Sequence, residues 1–229
     1  MAIILIDLDG TLVHSGSWRP VFFEMCKKVG REAGLDPLEI WKFVKAKSLE
    51  LIRALNYRGF DWQYVFQLVA SELGVREVPD LLKTLEVHLS TFSTNEGAYE
   101  MLEKIKKRGH RIEIATNGLS TYQLPVIKAL GLDRYIDGVR TSDMYKCPKS
   151  CPQFFQEADL IIGDNPVFDT YFPKKFGLFS IFFGDWEREV ARQRQRLGID
   201  ASETSPDASV LSLIEAPAAV EKVLKRFNL

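Results

Sequence analysis

Residues 1–12 read MAIILIDLDGTL, Met1 to Leu12. Ala2 to Ile6 is an unbroken apolar run, the pattern of a strand buried on both faces. The run stops at Asp7 and is followed by Leu8, Asp9, Gly10 and Thr11. Two carboxylates two residues apart at the end of a buried strand are costly unless a cation or hydrogen bonds compensate them. Gly10 lets the backbone leave the strand at an angle that a residue with a Cβ resists. In open α/β sheets, ligands bind at the carboxyl ends of the strands, so Asp7 and Asp9 stand where chemistry is expected.

Outward from this stretch the chain first turns helical. HSGSWRP is a loop, and VFFEMCKKVGREAG (Val21 to Gly34) has a helical pattern ended by glycine. Asp36-Pro37 supplies an N-cap with proline in the first turn. Ile40, Val44, Leu51 and Leu55 then mark a long helix, Trp62 to Leu73 a third and Pro79 to Leu89 a fourth. Residues 15–92 therefore read as an all-helical insert. Ser93-Thr-Asn-Glu96 has the form of a capping box, opening a helix with Ala98, Met101, Leu102 and Ile105 on one face and Gly109 as its stop. Strands follow at Arg111 to Ala115, Gly138 to Arg140, Leu160 to Gly163 and Leu178 to Phe183, alternating with helices near Tyr122 to Leu130 and Pro152 to Glu157. That alternation predicts βαβ units and a mostly parallel sheet. Asp185 caps a helix ending near Gly198, with Trp186, Val190 and Leu197 on its apolar side. Its arginines, Arg188, Arg192, Arg194 and Arg196, are interleaved with acids and read first as a solvated face, with a phosphate-binding patch as the alternative. An edge strand over Ser209 to Ile214 and a helix over Ala218 to Phe227 complete the reading.

Other strand ends also carry polar chemistry. Arg111 to Ala115 runs into Thr116, Asn117 and Gly118, a hydroxyl and turn amides suited to phosphate oxygens. IIGDNPVFD places Asp164 at the end of another short apolar strand, with Asp169 five residues on. Magnesium takes oxygen ligands, usually one or two carboxylates plus a substrate phosphate. A phosphate dianion beside three carboxylates also needs a positive group, and Lys146 and Lys149 in SDMYKCPKSCPQFF compete for that place.

These strings, in this order, resemble the four motifs of the haloacid dehalogenase-like hydrolases, a superfamily dominated by magnesium-dependent phosphatases. DLDGT is similar to the first motif, the strand ending in Thr116 to the second and GDNPVFD to the fourth. Lys149, with Pro152 and Phe155 behind it, fits the third motif better than Lys146, although its distance to Asp164 is shorter than usual. The resemblance covers roughly residues 1–14 and 93–184. It implies a Rossmann-like α/β core (1–14 and 93–229) with a helical cap domain (15–92). It further implies Asp7 as nucleophile forming an aspartyl-phosphate, and Asp9 as general acid and then base. Mg²⁺ would be held by Asp7, the Asp9 backbone carbonyl and Asp164, with Asp169 behind them. Thr116, Asn117 and Lys149 would bind phosphate. The implied substrate is a small phosphorylated metabolite. The alternatives are a dehalogenase or phosphonate hydrolase of the same fold, or a non-catalytic binding protein. Asp9, absent at this position in carbon–halogen cleaving relatives, favours phosphoryl transfer. Trp18, Arg19, Trp41, Tyr57, Arg58 and Trp62 are candidate lid contacts with substrate, and His14 reads as a loop residue.

The bulk numbers agree with such a protein. At 229 residues with 46% hydrophobic and 27% charged residues, the chain is of ordinary globular composition. A net charge of -1 gives no electrostatic basis for non-specific binding to nucleic acid or an anionic membrane. No apolar run approaches a membrane span. The first run lacks a basic n-region and is too short for a signal peptide, so a cytoplasmic location is expected. Cys26, Cys147 and Cys151 make no zinc signature and are expected to be free thiols.

Overall fold

The computed structural model of the chain describes residues 1–226. Its sheet has six strands: β1 (Ile3–Ile6), β2 (Arg111–Thr116), β3 (Gly138–Thr141), β4 (Leu160–Gly163), β5 (Phe179–Phe183) and β6 (Ala208–Val210). They lie in the order β3-β2-β1-β4-β5-β6 and every pairing is parallel. The fold is α/β with a Rossmann-like sheet. β1 is central because both its faces are apolar: Ile4 and Ile6 enter the main core, while Leu5 packs with Ala115, Phe154, Phe155, Ile161 and Leu178. Ile6 pairs with Ile114 on one side and Ile162 on the other. This register brings the ends of β1, β2 and β4 level, at the point where the chain order reverses across the sheet. Ligand crevices form at such a reversal.

Between residues 15 and 92 the chain forms α1 (Arg19–Ala33), α2 (Pro37–Arg53), α3 (Trp62–Glu72) and α4 (Leu81–His88), with no strand. Their ends follow local chemistry. Asp36 and Glu39 complete a capping box at α2, while Asp61 and Asp80 accept from the backbone N–H groups of Tyr64 and Lys83. The cap at Asp80 moves the start of α4 beyond the expected Pro79. Leu55, counted as helical from its spacing, lies past the end of α2 with φ 53°.

The excursion leaves and returns at neighbouring points. His14 N donates to Ser93 O and Asn95 N to Leu12 O, both at 2.9 Å. The Asn95 side chain donates to Gly10 O and Thr11 O at 2.8 Å each. These contacts correct the expected capping box at Ser93. Its polar groups tie down the loop after β1, and α5 (Ala98–Lys107) opens instead from Gly97 at φ 80° without a side-chain cap.

The helices α6 (Ser120–Ala129), α7 (Ser142–Tyr145), α8 (Phe172–Lys175), α9 (Trp186–Leu197) and α10 (Ala216–Arg226) follow. The expected helix over Pro152 to Glu157 is only a 3₁₀ turn, Pro152–Phe155. Arg140, paired with Glu113 at 2.6 Å on the neighbouring strand, takes the carbonyls of Phe154 and Gln156 through Nη1 and stops the turn from winding on. The last strand also ends earlier than its apolar pattern suggested. Beyond Val210, Ser212 caps a 3₁₀ turn at Leu213–Glu215, and α10 begins two residues before Ala218. The expected end of that helix, Phe227, lies outside the described residues.

Candidate active site

The strand ends meet at one cavity of about 320 Å³, lined by Asp7, Asp9, Thr116, Asn117, Lys149 and Asp164 among others. β1 delivers Asp7, whose backbone N–H donates to Ile162 O at 2.9 Å, fixing the strand end against β4. Lys149 Nζ lies 2.6 Å from Asp7 Oδ1 and 2.5 Å from Asp169 Oδ1. Asp7 Oδ2 is buried and has no partner. The Lys149 backbone is set by Asn117, whose Oδ1 accepts from Lys149 N at 2.7 Å. Lys146 is exposed, with φ 52°. Of the two lysines left open by the sequence, only Lys149 is directed into the acidic cluster.

Burial alone would strip the proton from Lys149, but Asp169 and Asp7 outweigh it and hold the ammonium charged well above neutrality. Burial raises Asp169 against the pull of Lys149, and burial with the Asp7 and Asp169 charges raises Asp164 well above the ordinary carboxylate range. Asp169 stands behind β4, accepting from Asn165 N at 3.0 Å through its second oxygen. Gly163 permits this approach, since a Cβ there would lie 2.3 Å from Asp169 Cγ. Asn165, rather than Asp164, caps the turn Pro166–Tyr171, which leaves the Asp164 carboxylate free of capping duty.

Asp9 has different surroundings. Trp18 Nε1 donates to its Oδ1 and Gln123 Nε2 to its Oδ2, both at 2.6 Å. Burial, with the nearby Asp7 charge, nevertheless pushes its carboxyl up to about 6 against those two donors. Two carboxylates two residues apart are thus placed in contrasting environments, the arrangement by which a site separates roles between like groups. Thr116 is buried, and its Oγ1 accepts from Gly118 N at 3.0 Å, leaving the hydroxyl proton to be donated elsewhere.

Several of these carboxylates also suit a cation. Asp7, Asp164 and Asp169 each offer an oxygen within 4.8 Å of the others. The approach of Asp164 depends on Gly10, at φ 102°, where a Cβ would fall 2.3 Å from Asp164 Oδ2. An all-oxygen set with an unpaired buried carboxylate oxygen and one lysine among the acids fits a hard divalent ion such as Mg²⁺.

The remaining wall comes from the helices. Trp18, Phe22 and Trp62 line the cavity, while Arg19 and Trp41 line a second one adjoining it. Tyr57 and Arg58, also proposed as lid contacts, line neither cavity, and the Arg58 guanidinium instead stacks 4.6 Å from the Tyr64 ring. His14 is exposed and accepts from Gly16 N within its own loop. Gln123 escaped the sequence reading, as did the steric role of Gly118. A glutamine in a helix ordinarily faces water, and nothing local reveals that Gln123 turns inward to Asp9. Gly118 makes room for it, since a Cβ there would lie 2.0 Å from Gln123 Nε2. Arg196, read as part of a solvated face, lines both cavities.

Comparison with known proteins gives the family. Residues 1–158 match the family described as haloacid dehalogenase-like hydrolase. The chain is 26% identical to a phosphoglycolate phosphatase of Nitrosospira multiformis, over 96% of this chain and 95% of that one. It is 25% identical to a glyceraldehyde 3-phosphate phosphatase of Pyrococcus furiosus, over 79% and 80% respectively. A crystal structure of a HAD phosphatase from Thermococcus onnurineus superposes with a TM-score of 0.74 at 22% identity, covering 98% of each chain. The chain belongs to the haloacid dehalogenase-like hydrolases.

Proposed function

We propose that this haloacid dehalogenase-like hydrolase is a magnesium-dependent phosphatase that cleaves a small phosphorylated metabolite through an aspartyl-phosphate. The observation that carries the reading is the contrast between Asp7, with Oδ1 on Lys149 and Oδ2 unpartnered, and Asp9, held nearby with a raised pKa.

In this reading a carboxylate oxygen of Asp7 attacks phosphorus. The ester P–O bond breaks and the Asp9 carboxyl gives its proton to the departing alkoxide. The Asp9 carboxylate then takes a proton from water as that water's oxygen attacks the aspartyl-phosphate, releasing inorganic phosphate and restoring Asp7. Thr116, the Asn117 amide and Lys149 hold the phosphoryl oxygens. Asp7, the Asp9 carbonyl and Asp164 would hold Mg²⁺, which when bound offsets negative charge and orients the phosphoryl group. Asp169 fixes Lys149. A pKa near 6 suits a group that must both give and take a proton close to neutrality. Asp9 also supports phosphoryl transfer over dehalogenation.

Residues 15–92 would act as a cap domain over the core formed by 1–14 and 93–229. Two of the relatives are named as phosphatases of phosphoglycolate and of glyceraldehyde 3-phosphate, which supports the substrate class. No helix among the described residues is long and apolar enough to cross a membrane, and a cytoplasmic location without nucleic-acid or membrane partners completes the reading.

The test is hydrolysis of an aryl phosphate, glycerol and sugar phosphates, glyceraldehyde 3-phosphate and phosphoglycolate, with magnesium and after chelation. Turnover should require the metal, and Asp7→Asn should lower kcat by about 10³-fold or more. Absence of turnover on the whole panel, or a fully active Asp7→Asn variant, would overturn it.

A further inference from the structure

The second cavity, of about 710 Å³, shares Trp18, Phe22, Trp62 and Arg196 with the first. Its charged lining is entirely basic: Arg19, Lys45, Arg192 and Arg196, with no acidic side chain. The whole chain is slightly negative, and the adjoining cavity is lined by Asp7, Asp9 and Asp164. The first chamber sets Lys149 among its acids, whereas the second offers cationic side chains with no acid in its lining.

Arg196 is the group that joins them. Three other arginines of α9 have carboxylate partners: Arg188 and Arg192 reach Glu189, at 3.4 and 2.8 Å, and Arg194 reaches Asp200 at 3.3 Å. No acid pairs with the Arg196 guanidinium among the described residues. Burial, together with the Arg192 charge, pulls its pKa down, the mark of a cation lacking compensation. Its backbone is nonetheless firmly placed. Arg53 of α2 donates through Nε and Nη2 to Arg196 O at 2.9 and 2.7 Å, fastening this end of α9 to the helical segment. A held, half-buried and unpaired guanidinium is suited to a carboxylate or phosphoryl group, which it meets with two parallel N–H donors.

We infer that the substrate's leaving group carries a second anionic group, and that Arg196 receives it beyond the aromatic wall of Trp18, Phe22 and Trp62. This rests on the phosphatase reading for the first phosphate. Phe22 stacks between Trp18 and Trp41 at 5.6 and 5.2 Å and touches Trp62 at 4.7 Å. The wall thus gives an apolar path between the two polar ends. A leaving group with a neutral tip would leave Arg196 without a partner, and discrimination of that kind is strong where a polar group of the protein would otherwise stay unpaired.

The test is a series of phosphomonoesters of ω-hydroxy carboxylic acids of increasing chain length, each against its primary amide, with the matching diol bisphosphates as a second arm. Wild type should favour the carboxylate or the bisphosphate over the amide by about tenfold in kcat/KM, carried by KM, at one chain length. Arg196→Gln should bring that ratio to within about twofold, and Arg196→Lys should recover part of it. Arg194→Gln, on the exposed face, should keep the wild-type ratio. Equal use of acid and amide at every length, or a preference that survives Arg196→Gln, would overturn the inference. Which anionic arm wins identifies the second group. Non-hydrolysable ω-carboxy phosphonates, followed by tryptophan fluorescence, read the same site without turnover. Saturable quenching that Arg196→Gln abolishes supports the anion site even if no ester is hydrolysed, in which case the phosphatase reading alone fails. Quenching that inorganic phosphate reproduces at equal concentration would mark a free-anion site instead and overturn the substrate assignment.

Discussion

At the strand ends Asp7, Lys149 and Asp169 form a buried run of ion pairs at 2.6 and 2.5 Å, whereas across the same cleft Arg19, Lys45 and Arg196 stand around a half-buried aromatic wall with no acid beside them. Apart from Asp7 Oδ2, the first set is held by its neighbours: Asn117 sets the Lys149 backbone, Asn165 N–H donates to the far oxygen of Asp169, and Gly10 and Gly163 leave space for the carboxylates. The second set depends on helices from two separate parts of the chain, joined where Arg53 meets Arg196 O. One side is organised before any ligand arrives. The other has charge still to be satisfied. On the proposed reading the chemistry would belong to the sheet and the selection of substrate to the helices, and the two should respond differently to substitution.

The largest expected effect is at the locked side. Lys149→Met leaves Asp7 and Asp169 buried without their cation, which should cost about 3–5 kcal/mol by urea unfolding at pH 7 and lower kcat by about 10²- to 10³-fold. A variant of wild-type stability would break the contrast just drawn.

Gln123→Leu should act through Asp9. Loss of one donor to its carboxylate should lower kcat by about tenfold and move the Asp9 limb of the pH–rate profile to higher pH. A reduced rate with an unmoved profile would leave Gln123 a packing role only.

A smaller effect concerns stability. The Asp9 carboxyl, about 6 in the fold against an ordinary 3.8, is protonated in the native chain at pH values where the unfolded chain has lost that proton. Its ionisation therefore erodes stability as pH rises from about 4 to about 6. Asp9→Asn should raise the stability of the metal-free protein by about 1 kcal/mol at pH 7, a partial share of the ~1.4 kcal/mol per pK unit, and by nothing below pH 4. The new amide nitrogen requires the Gln123 amide to turn over, so that its Oε1, which has no partner, replaces Nε2 opposite residue 9. A gain independent of pH would exclude Asp9 titration as its source.

Much of the fold was legible because its signals are local. Ile3–Ile6 and Leu160–Gly163 are short apolar runs that stop at acids, Arg111–Thr116 is built on Ile112, Ile114 and Ala115 and ends in a hydroxyl, and the caps at Asp36 and Asp185 lie beside the helices they open. The misreadings came where a local pattern was outbid from afar. Ser93 to Glu96 has capping-box spelling, yet its groups serve the loop after β1. The segment after Pro152 has helical periodicity, yet Arg140 captures its carbonyls from another strand.

The sequence by itself determined that Asp7, Asp9, Thr116 and Asp164 stand at the ends of buried strands, because an apolar run followed by a polar residue needs no distant information. It favoured Lys149 over Lys146 only through the resemblance, by the places of Pro152 and Phe155 and against an unusually short distance to Asp164. Tertiary structure decided that choice, turning Lys149 inward between Asp7 and Asp169. It also brought Gln123 to Asp9 and left Arg196 without a carboxylate among the described residues. Each of these depends on residues far apart in the chain meeting in space, and burial then sets the charge and pKa of what has met.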